Sequence, residues 1–380
     1  MRRNLWIATT LLTVAVSALG GEPEPEVGRL RAHIATLASP EFAGRRGEGA
    51  HKAAEYVETE FKRLDLEPLF DGGYTQEIPG RDAGTVLGRN VGAKIVGSDP
   101  ALRDEWIILG AHFDHLGVRS GVLYPGADDN ASSVAMMIEV ARSLSRSATP
   151  PRRSLMFLGF DLEEDGLFGS RYFIDHMPVP LDRVKLMITA DMIGRSLGGV
   201  CGPRVFVMGT EHAPSLRPWI TRAADGRTAM DVGLLGSDLL LIDRSDYGPF
   251  RARKVPYLFF STGENPHYHK PTDTAETLDY PKIEAVSRTI QRVVEQAAAA
   301  DSLPTWEPRS DPTINEAVVI RDVLQRLLEH RDDLNIKPAI IALMTSTLRS
   351  LDEIIDRGVI TAVERSRIVR TAQIIMFTTL

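Results

Sequence analysis

Short apolar runs alternate with segments of helical periodicity along most of the chain. Between these runs, hydrophobic residues recur at intervals of three and four positions, as they do on the buried face of a helix. The apolar runs predict strands at residues 91–96, 106–110, 155–160, 184–189, 205–208 and 255–260. Because the runs are apolar at nearly every position, both faces of the sheet need cover from the intervening helices. The pattern predicts an α/β fold with a mixed, mostly parallel central sheet flanked by helices.

The helical segments fall into two groups. The first group is predicted at residues 27–66, with a Gly-containing break at 39–47 and an amphipathic run at 51–64, then at 132–144, 167–174, 215–224 and up to 297–300. After a Pro-rich linker, the second group is predicted at residues 313–330, 338–356 and 361–377. We therefore expect a main domain at 27–300, a linker at 301–312 and an all-helical C-terminal extension at 313–380. The extension is either a small bundle packed on the main domain or an independent binding module.

The first twenty residues differ in composition from the rest. Arg2 and Arg3 supply positive charge, and residues 5–19 form an apolar run without a charged side chain. This run is shorter than a typical membrane span and ends in small residues that suit cleavage. The sequence predicts a signal peptide at residues 1–20 and hence a secreted or periplasmic protein. An uncleaved N-terminal anchor is the alternative.

Composition and charge exclude several classes of partner and chemistry. A net charge of −7 is unlike the basic footprint of nucleic-acid-binding proteins, so we expect no nucleic acid and no membrane contact beyond the signal peptide. The sequence motifs of serine hydrolases, P-loops and dinucleotide-binding folds are absent. The single cysteine, Cys201, excludes an intramolecular disulfide and lies beside Gly202-Pro203, which indicates a turn or core thiol.

Side chains that can bind a metal follow four of the predicted strands. In chain order they are His112, Glu163, Glu164, Asp191, His267 and His269. Because the carboxyl ends of parallel strands meet at one edge of a sheet, we expect these side chains to lie close together. Asp114 is placed to accept a hydrogen bond from the second ring nitrogen of His112 and so fix its tautomer. Of the adjacent glutamates, one can bind a metal while the other relays a proton.

Two adjacent aspartates open the helix predicted at residues 132–144. N-capping explains one polar residue at such a position but not both Asp128 and Asp129. One of these carboxylates can bridge two divalent ions about 3.5–4 Å apart. Mixed imidazole and carboxylate ligands suit zinc. The residues predict a zinc site, but by themselves they do not choose between Asp128 and Asp129, or between His267 and His269.

The motifs around these residues resemble those of the M28 family of zinc peptidases, the bacterial leucyl-aminopeptidase type. In the family's order, the chain contains Ala-His-x-Asp, Gly-Ala-Asp-Asp-Asn-Ala-Ser, Glu-Glu-x-Gly-Leu-x-Gly-Ser, Asp-Met and His-x-Pro-x-Asp-Thr. Gly44-Arg45 also resembles an early turn of the family. The resemblance covers about residues 27–300 and implies a fold of the zinc-exopeptidase type.

This resemblance implies a role for each candidate residue. Two zinc ions per chain would be held by five ligands: His112 with Asp191, Glu164 with His269, and the bridging Asp129. Glu163 would be the general base, Asp114 would orient His112, and Tyr268 would steady the oxyanion. The implied activity is that of an exported aminopeptidase acting on peptides with a free N-terminus.

Three other activities remain open at this point. A glutaminyl cyclase-type acyltransferase shares the fold and the motifs. A carboxypeptidase of the same superfamily would need a cation to bind the substrate carboxylate, for which Arg195 and Lys270 are the candidates. The third alternative is a non-catalytic binding homologue. Self-association through the C-terminal helices is a further possibility for partners.

Overall fold

The structure is a computed structural model that describes residues 23–227, 229–308 and 312–379. The predicted signal peptide, residues 1–20, lies outside the described residues. None of the described helices is long and apolar enough to cross a membrane.

Eleven strands and ten α-helices are found in the described residues. The strands are β1 (Glu67–Pro68), β2 (Thr75–Pro79), β3 (Val86–Ile95), β4 (Trp106–His112), β5 (Val118–Arg119), β6 (Val122–Leu123), β7 (Ser154–Phe160), β8 (Val184–Ala190), β9 (Arg204–Met208), β10 (Asp231–Leu234) and β11 (Tyr257–Ser261). The helices are α1 (Val27–Leu37), α2 (Glu48–Arg63), α3 (Ser133–Ser145), α4 (Phe168–Asp175), α5 (Arg217–Ala224), α6 (Tyr247–Ala252), α7 (Tyr280–Ala299), α8 (Ile314–Glu329), α9 (Pro338–Arg357) and α10 (Ala362–Thr379).

Nine of these strands form one mixed sheet. Its order is β1-β3-β7-β4-β8-β11-β9-β10, and β2 also pairs with β3. The centre is parallel, since β7, β4, β8 and β11 run in the same direction, whereas β3 joins β7 and β9 joins β11 antiparallel. The remaining strands, β5 and β6, form a separate hairpin. The mixed, mostly parallel sheet predicted from the apolar runs is confirmed.

Helices cover both faces of the sheet, and the central strands bury nearly every side chain. In β4, Ile107 and Leu109 belong to one hydrophobic cluster and Ile108 belongs to the other, as the alternation of side chains along a strand requires. The first cluster includes apolar residues of α1, α2, α3, α5 and α7, and the second includes those of α4, α6 and the three C-terminal helices. The sheet is therefore the middle layer of three.

The sequence pattern missed the outer strands β1, β2 and β10 and the short helix α6. In β10 only Gly233 is buried, and in β2 only Ile78 is buried. A strand near the sheet edge that buries so few side chains lacks the continuous apolar run that marked the central strands. The predicted strand at 255–260 is also shifted, because the observed strand begins at Tyr257 and ends at Ser261.

The C-terminal extension forms three helices, as predicted, and packs against the second face of the sheet. Val319, Leu324 and Leu327 of α8 are buried in the same hydrophobic cluster as Phe206 and Phe259 of the sheet. The preceding segment is also packed, since the ring of Trp306 stacks on His212 with 4.0 Å between ring centroids. The extension thus shares a core with the main domain.

Candidate metal centre

Three adjacent parallel strands bring the first candidate residues together. His112 is the last residue of β4, and the neighbouring strands β7 and β8 end just before Asp161 and Asp191. Because β4 lies between β7 and β8, the loops that follow the three strands meet at one edge. The Nε2 atom of His112 lies 3.5 Å from Oδ1 of Asp191.

Asp114 holds the loop that carries the two glutamates. Its carboxylate accepts hydrogen bonds from the backbone N–H of Glu163 at 3.0 Å and from that of Glu164 at 3.2 Å. The same carboxylate lies 3.5 Å from Nδ1 of His112. Asp114 therefore connects the loop after β4 to the loop after β7 and faces the ring nitrogen of His112 that is remote from Asp191.

The loop before α3 is fixed by two buried charged side chains. The carboxylate of Asp273 accepts hydrogen bonds from the backbone N–H groups of Asp128 and Asp129, at 3.0 and 3.1 Å. The guanidinium of Arg45 donates to five backbone carbonyls, including those of Gly126 and Asp129. Gly126 has a φ of +60°, and a Cβ there would lie 2.2 Å from the carbonyl oxygen of Asp129, so only glycine fits. The resemblance of Gly44-Arg45 to a family turn thus falls on a residue that supports this loop.

The two adjacent aspartates point to different places. The Oδ1 atom of Asp129 lies 3.6 Å from Nε2 of His112, and its Oδ2 lies 3.2 Å from Nε2 of His269. The carboxylate of Asp128 instead accepts a hydrogen bond of 2.7 Å from the backbone N–H of Gly194. The structure thus places Asp129, rather than Asp128, between the two histidines.

The two histidines of the last loop also differ. The Nε2 atom of His269 lies 3.2 Å from Oε2 of Glu164 as well as from Asp129. The Nδ1 atom of His267 lies 2.9 Å from the hydroxyl of Thr272. His269 therefore belongs to the cluster and His267 does not. The ring of Tyr268 stacks on that of His269 with 3.9 Å between centroids.

His115 is a member of the cluster that the sequence analysis did not assign. Its Nδ1 atom lies 2.8 Å from Oε1 of Glu164 and 3.8 Å from Oδ2 of Asp129, and its side chain is fully buried. The available signal was a second histidine three residues after His112, in the motif Ala-His-Phe-Asp-His.

A second residue that the sequence analysis missed is Asp246, just before α6. Burial raises the pKa of Asp246 to about 7, although the nearby His112 opposes this shift.

The sequence around this site matches that of a known protein family. The sequence model of peptidase family M28 matches residues 90–294, which include every candidate residue named above except Arg45. The chain belongs to peptidase family M28. The motif resemblance is confirmed.

Two curated proteins that are similar in sequence to this M28 chain are bacterial. It is 27% identical to aminopeptidase YwaD of Bacillus subtilis (strain 168) over 206 residues, which are 52% of this chain and 42% of the relative. It is 30% identical to leupeptin-inactivating enzyme 1 of Streptomyces exfoliatus over 183 residues, 47% of this chain and 39% of the relative. The chain thus spans about two fifths of the length of each.

Solved structures with the same fold include two kinds of protein. The LapA aminopeptidase of Legionella pneumophila aligns with a TM-score of 0.58 and 20% identity, over 72% of both chains. The glutaminyl cyclase of Porphyromonas gingivalis aligns with a TM-score of 0.57 and 18% identity, over 72% of this chain and 98% of the cyclase. At these identities the likeness establishes the fold and leaves the reaction open.

The M28 cluster has the donor set that a divalent metal requires. The Nε2 atoms of His112 and His115 and the Oδ1 atom of Asp191 are buried and have no hydrogen-bond partner among the described residues. Buried polar atoms without a partner cost free energy, which a bound cation removes. The donor atoms form two groups, and within each group they all lie within 4.8 Å of one another. One group is His112 with Glu163 and Asp191, and the other is His115 with Asp129 and Glu164. These residues fit a metal centre.

The adjacent glutamates have opposite electrostatic environments. Burial raises the pKa of Glu163 well above its usual value, although His112 opposes the shift. Burial also acts on Glu164, but hydrogen bonds from His115 and His269 outweigh it and hold the pKa of Glu164 below its usual range. Two carboxylates whose pKa values are shifted in opposite directions can divide the tasks of proton carrier and metal ligand.

A cavity of about 480 Å³ opens on this cluster. Its lining includes Glu163, Asp191, Tyr268 and His269 at one end, followed by mostly apolar side chains. The two cations considered for a carboxypeptidase are not part of the lining. Arg195 donates to Asp273 at 2.9 Å, and the ammonium of Lys270 donates to the carbonyl of Pro266 at 2.6 Å.

Proposed function

We propose that this chain is a zinc-dependent aminopeptidase with two metal ions that share Asp129. The observation that carries the proposal is the position of the Asp129 carboxylate, whose two oxygens face different histidines. One oxygen lies 3.6 Å from Nε2 of His112 and the other lies 3.2 Å from Nε2 of His269. A carboxylate between two sets of donors is the feature expected of a two-metal hydrolase.

The other ligands are assigned by their distances from these atoms. His112 and Asp191 would hold one ion, Glu164 and His269 would hold the second, and Asp129 would be shared by both. His115 supports Glu164 through their 2.8 Å contact. When bound, the zinc ions lower the pKa of a coordinated water and polarise the substrate carbonyl.

Glu163 is the proton carrier in this proposal. It lines the cavity beside Asp191, and its raised pKa brings it toward the range in which a carboxylate can both accept and donate a proton near neutral pH. Glu163 accepts the proton of the attacking water and returns it to the leaving amine. Tyr268, stacked on His269 at the edge of the cavity, is proposed to donate a hydrogen bond to the developing oxyanion.

The described lining of the cavity offers no free cation for a substrate carboxylate. Arg195 and Lys270 are not part of it. The cation that lines the cavity, Arg244, is paired with Glu264 and is not available as a carboxylate clamp. An aminopeptidase therefore fits better than a carboxypeptidase. Export through residues 1–20 and self-association through the C-terminal helices remain predictions.

Substitution of Glu163→Gln tests the assignment. Because glutamine cannot carry the proton, we expect a loss of at least about 100-fold in kcat on leucine p-nitroanilide, with two zinc ions per chain retained. The measurements are steady-state kinetics and metal analysis of the purified variant. The matched control is Glu77→Gln on the exposed side of β2, which should keep full activity. Undiminished turnover by the Glu163 variant would refute the mechanism.

A glutaminyl cyclase-type reaction is the second candidate, since the same fold occurs in the Porphyromonas gingivalis cyclase. The two reactions are separated by the substrates they accept. An aminopeptidase cleaves leucine p-nitroanilide but not its N-acetyl derivative, whereas a cyclase converts an N-terminal glutaminyl peptide to the pyroglutamyl form and releases ammonia. Activity on the acetylated substrate alone would contradict both.

A further inference from the structure

The cavity that opens on the candidate metal centre is lined in part by the C-terminal helices α8 and α10. From the carboxylates at one end, its lining continues over Phe206 and Phe259 of the sheet to Val323 of α8 and Met376 of α10. The two helices lie outside the residues matched by the family model, which end at residue 294. One wall of the cavity is therefore formed by residues outside the part of the chain that the family model matches.

This wall is held in place by an ionic network in which Arg365 and Glu316 are buried. The guanidinium of Arg365 on α10 donates to Glu316 of α8 at 2.6 Å and to Asp238 of the main domain at 2.7 Å. Gln373 of α10 also donates to the backbone carbonyl of Asp238 at 2.9 Å. The helices are thus fixed to the loop at residues 237–242, which lies beside the same cavity. A wall anchored in this way can discriminate between substrates by shape.

The lining identifies the chemistry of the group that fills the cavity. Away from the metal centre the lining is dominated by leucine, isoleucine, valine, phenylalanine and methionine side chains, and its one cation, Arg244, is paired. At the adjoining surface, Leu241 and Ile242 are 70% and 68% exposed, which extends the apolar surface outward. A volume of about 480 Å³ lies in the range of pockets that bind drug-sized ligands, and it is larger than the volume of a small side chain. The matching occupant is a large apolar group.

We propose that α8 and α10 form one wall of the pocket that holds the side chain of the substrate's first residue, so that these two helices set how large a side chain the enzyme accepts. Val323 and Met376 are the specificity-determining residues on the two helices. This inference rests on the proposed function, because it takes the amino group of the first residue to lie at the metal centre while its side chain extends toward α8 and α10.

The test fills the pocket from the helix side. Val323→Phe adds bulk to the cavity wall, so the ratio of kcat/KM on phenylalanine p-nitroanilide to that on alanine p-nitroanilide should fall by about tenfold or more. The matched control is Val318→Phe, the same change on the same helix at a half-buried position that lines a different cavity. The ratio of the control should equal that of the parent. An equal ratio in all three proteins would overturn the inference while leaving the aminopeptidase proposal intact.

A second variant covers the case in which Val323→Phe does not fold. Val323→Ala enlarges the pocket, and we expect it to raise the preference for phenylalanine over leucine by a fewfold in kcat/KM. An unchanged preference in a folded Val323→Ala protein would count against the pocket.

A binding measurement without metal separates this inference from the proposed function. The neutral dye N-phenyl-1-naphthylamine should bind the chelator-treated parent and the Val318→Phe control with equal affinity, and Val323→Phe at least about tenfold more weakly. If the parent shows no peptidase activity but the dye follows this pattern, the apolar pocket is supported and the proposed function fails. Dye binding that is the same in all three proteins would overturn the pocket.

Discussion

At the scale of single residues, Asp114 connects two loops of the candidate metal centre. It accepts the backbone hydrogen bonds of Glu163 and Glu164 and also faces Nδ1 of His112 at 3.5 Å. Carboxylates that orient a metal-binding histidine raise its basicity and fix its ring. One side chain thus positions a proposed ligand of each metal ion and the proposed proton carrier.

Substitution of Asp114→Asn should therefore weaken metal binding without removing a ligand. The amide has one acceptor oxygen where the carboxylate has two, so one backbone N–H of the glutamate loop loses its partner. We expect zinc affinity to fall about 10- to 100-fold, measured by competition with a chromogenic chelator. The control is Asp165→Asn in the same loop, whose exposed carboxylate pairs with Arg46 at 2.8 Å. Equal zinc affinity in the two variants would contradict the positioning role of Asp114.

At the scale of elements, α1 and α3 are joined through a buried carboxylate. Glu139 of α3 accepts from Nε of Arg29 on α1 at 2.7 Å and from Nε of Arg142 at 3.0 Å. Burial opposes the charged form, but the contacts with His33, Arg29 and Arg142 outweigh it and lower the pKa of Glu139 to about 2. The loop that carries Asp129 leads directly into α3, so this ion cluster steadies the helix behind the metal centre.

The pH dependence of the free energy of unfolding should reveal the contribution of this ion cluster. Because the pKa of Glu139 is lower in the folded chain than in the unfolded chain, its contribution is complete above about pH 4.5 and is lost as the pH falls toward 2. We expect Glu139→Gln to lower the free energy of unfolding by about 2 kcal/mol at pH 7. The difference from the parent should shrink progressively below pH 4.5. Urea unfolding at several pH values measures it, with Glu55→Gln on the exposed side of α2 as the control.

At the scale of the whole molecule, the C-terminal helices and the main domain share one hydrophobic cluster and one ionic network. Met344 and Leu351 of α9 and Ile375 of α10 are fully buried in the cluster that also contains Phe160 of β7. The Arg365 network with Glu316 and Asp238 lies at the junction. The extension is expected to unfold together with the part of the sheet that it covers.

Removing the charge at this junction should loosen the extension. Arg365→Leu leaves the buried Glu316 carboxylate without its cation, and breaking a buried pair in this way costs about 3–5 kcal/mol. We expect faster hydrogen exchange in α8 and α10 than in the parent, with less change in α1 and α3. The control is Arg349→Leu on the exposed side of α9. Unaltered exchange in α8 would show that apolar packing alone holds the extension.

The sequence alone determined the central strands, the three C-terminal helices and the proposed ligands that directly follow a strand. Apolar runs mark strands that are buried on both faces, and residues at the carboxyl ends of adjacent parallel strands must meet. His112 and Asp191 could therefore be identified from position in the chain. The choice of Asp129 and His269 came from motif resemblance, because neighbouring residues of the same type have the same local pattern.

Only the tertiary structure decided which way those neighbouring side chains point. Asp128 is turned to the backbone N–H of Gly194, His267 to Thr272, and His115 to Glu164, and each of these contacts joins segments whose relative placement no local pattern specifies. The same reason applies to the cavity wall. Val323 lies more than fifty residues along the chain from every proposed metal ligand, and its place in the lining of the same cavity follows from the packing of α8 on the sheet.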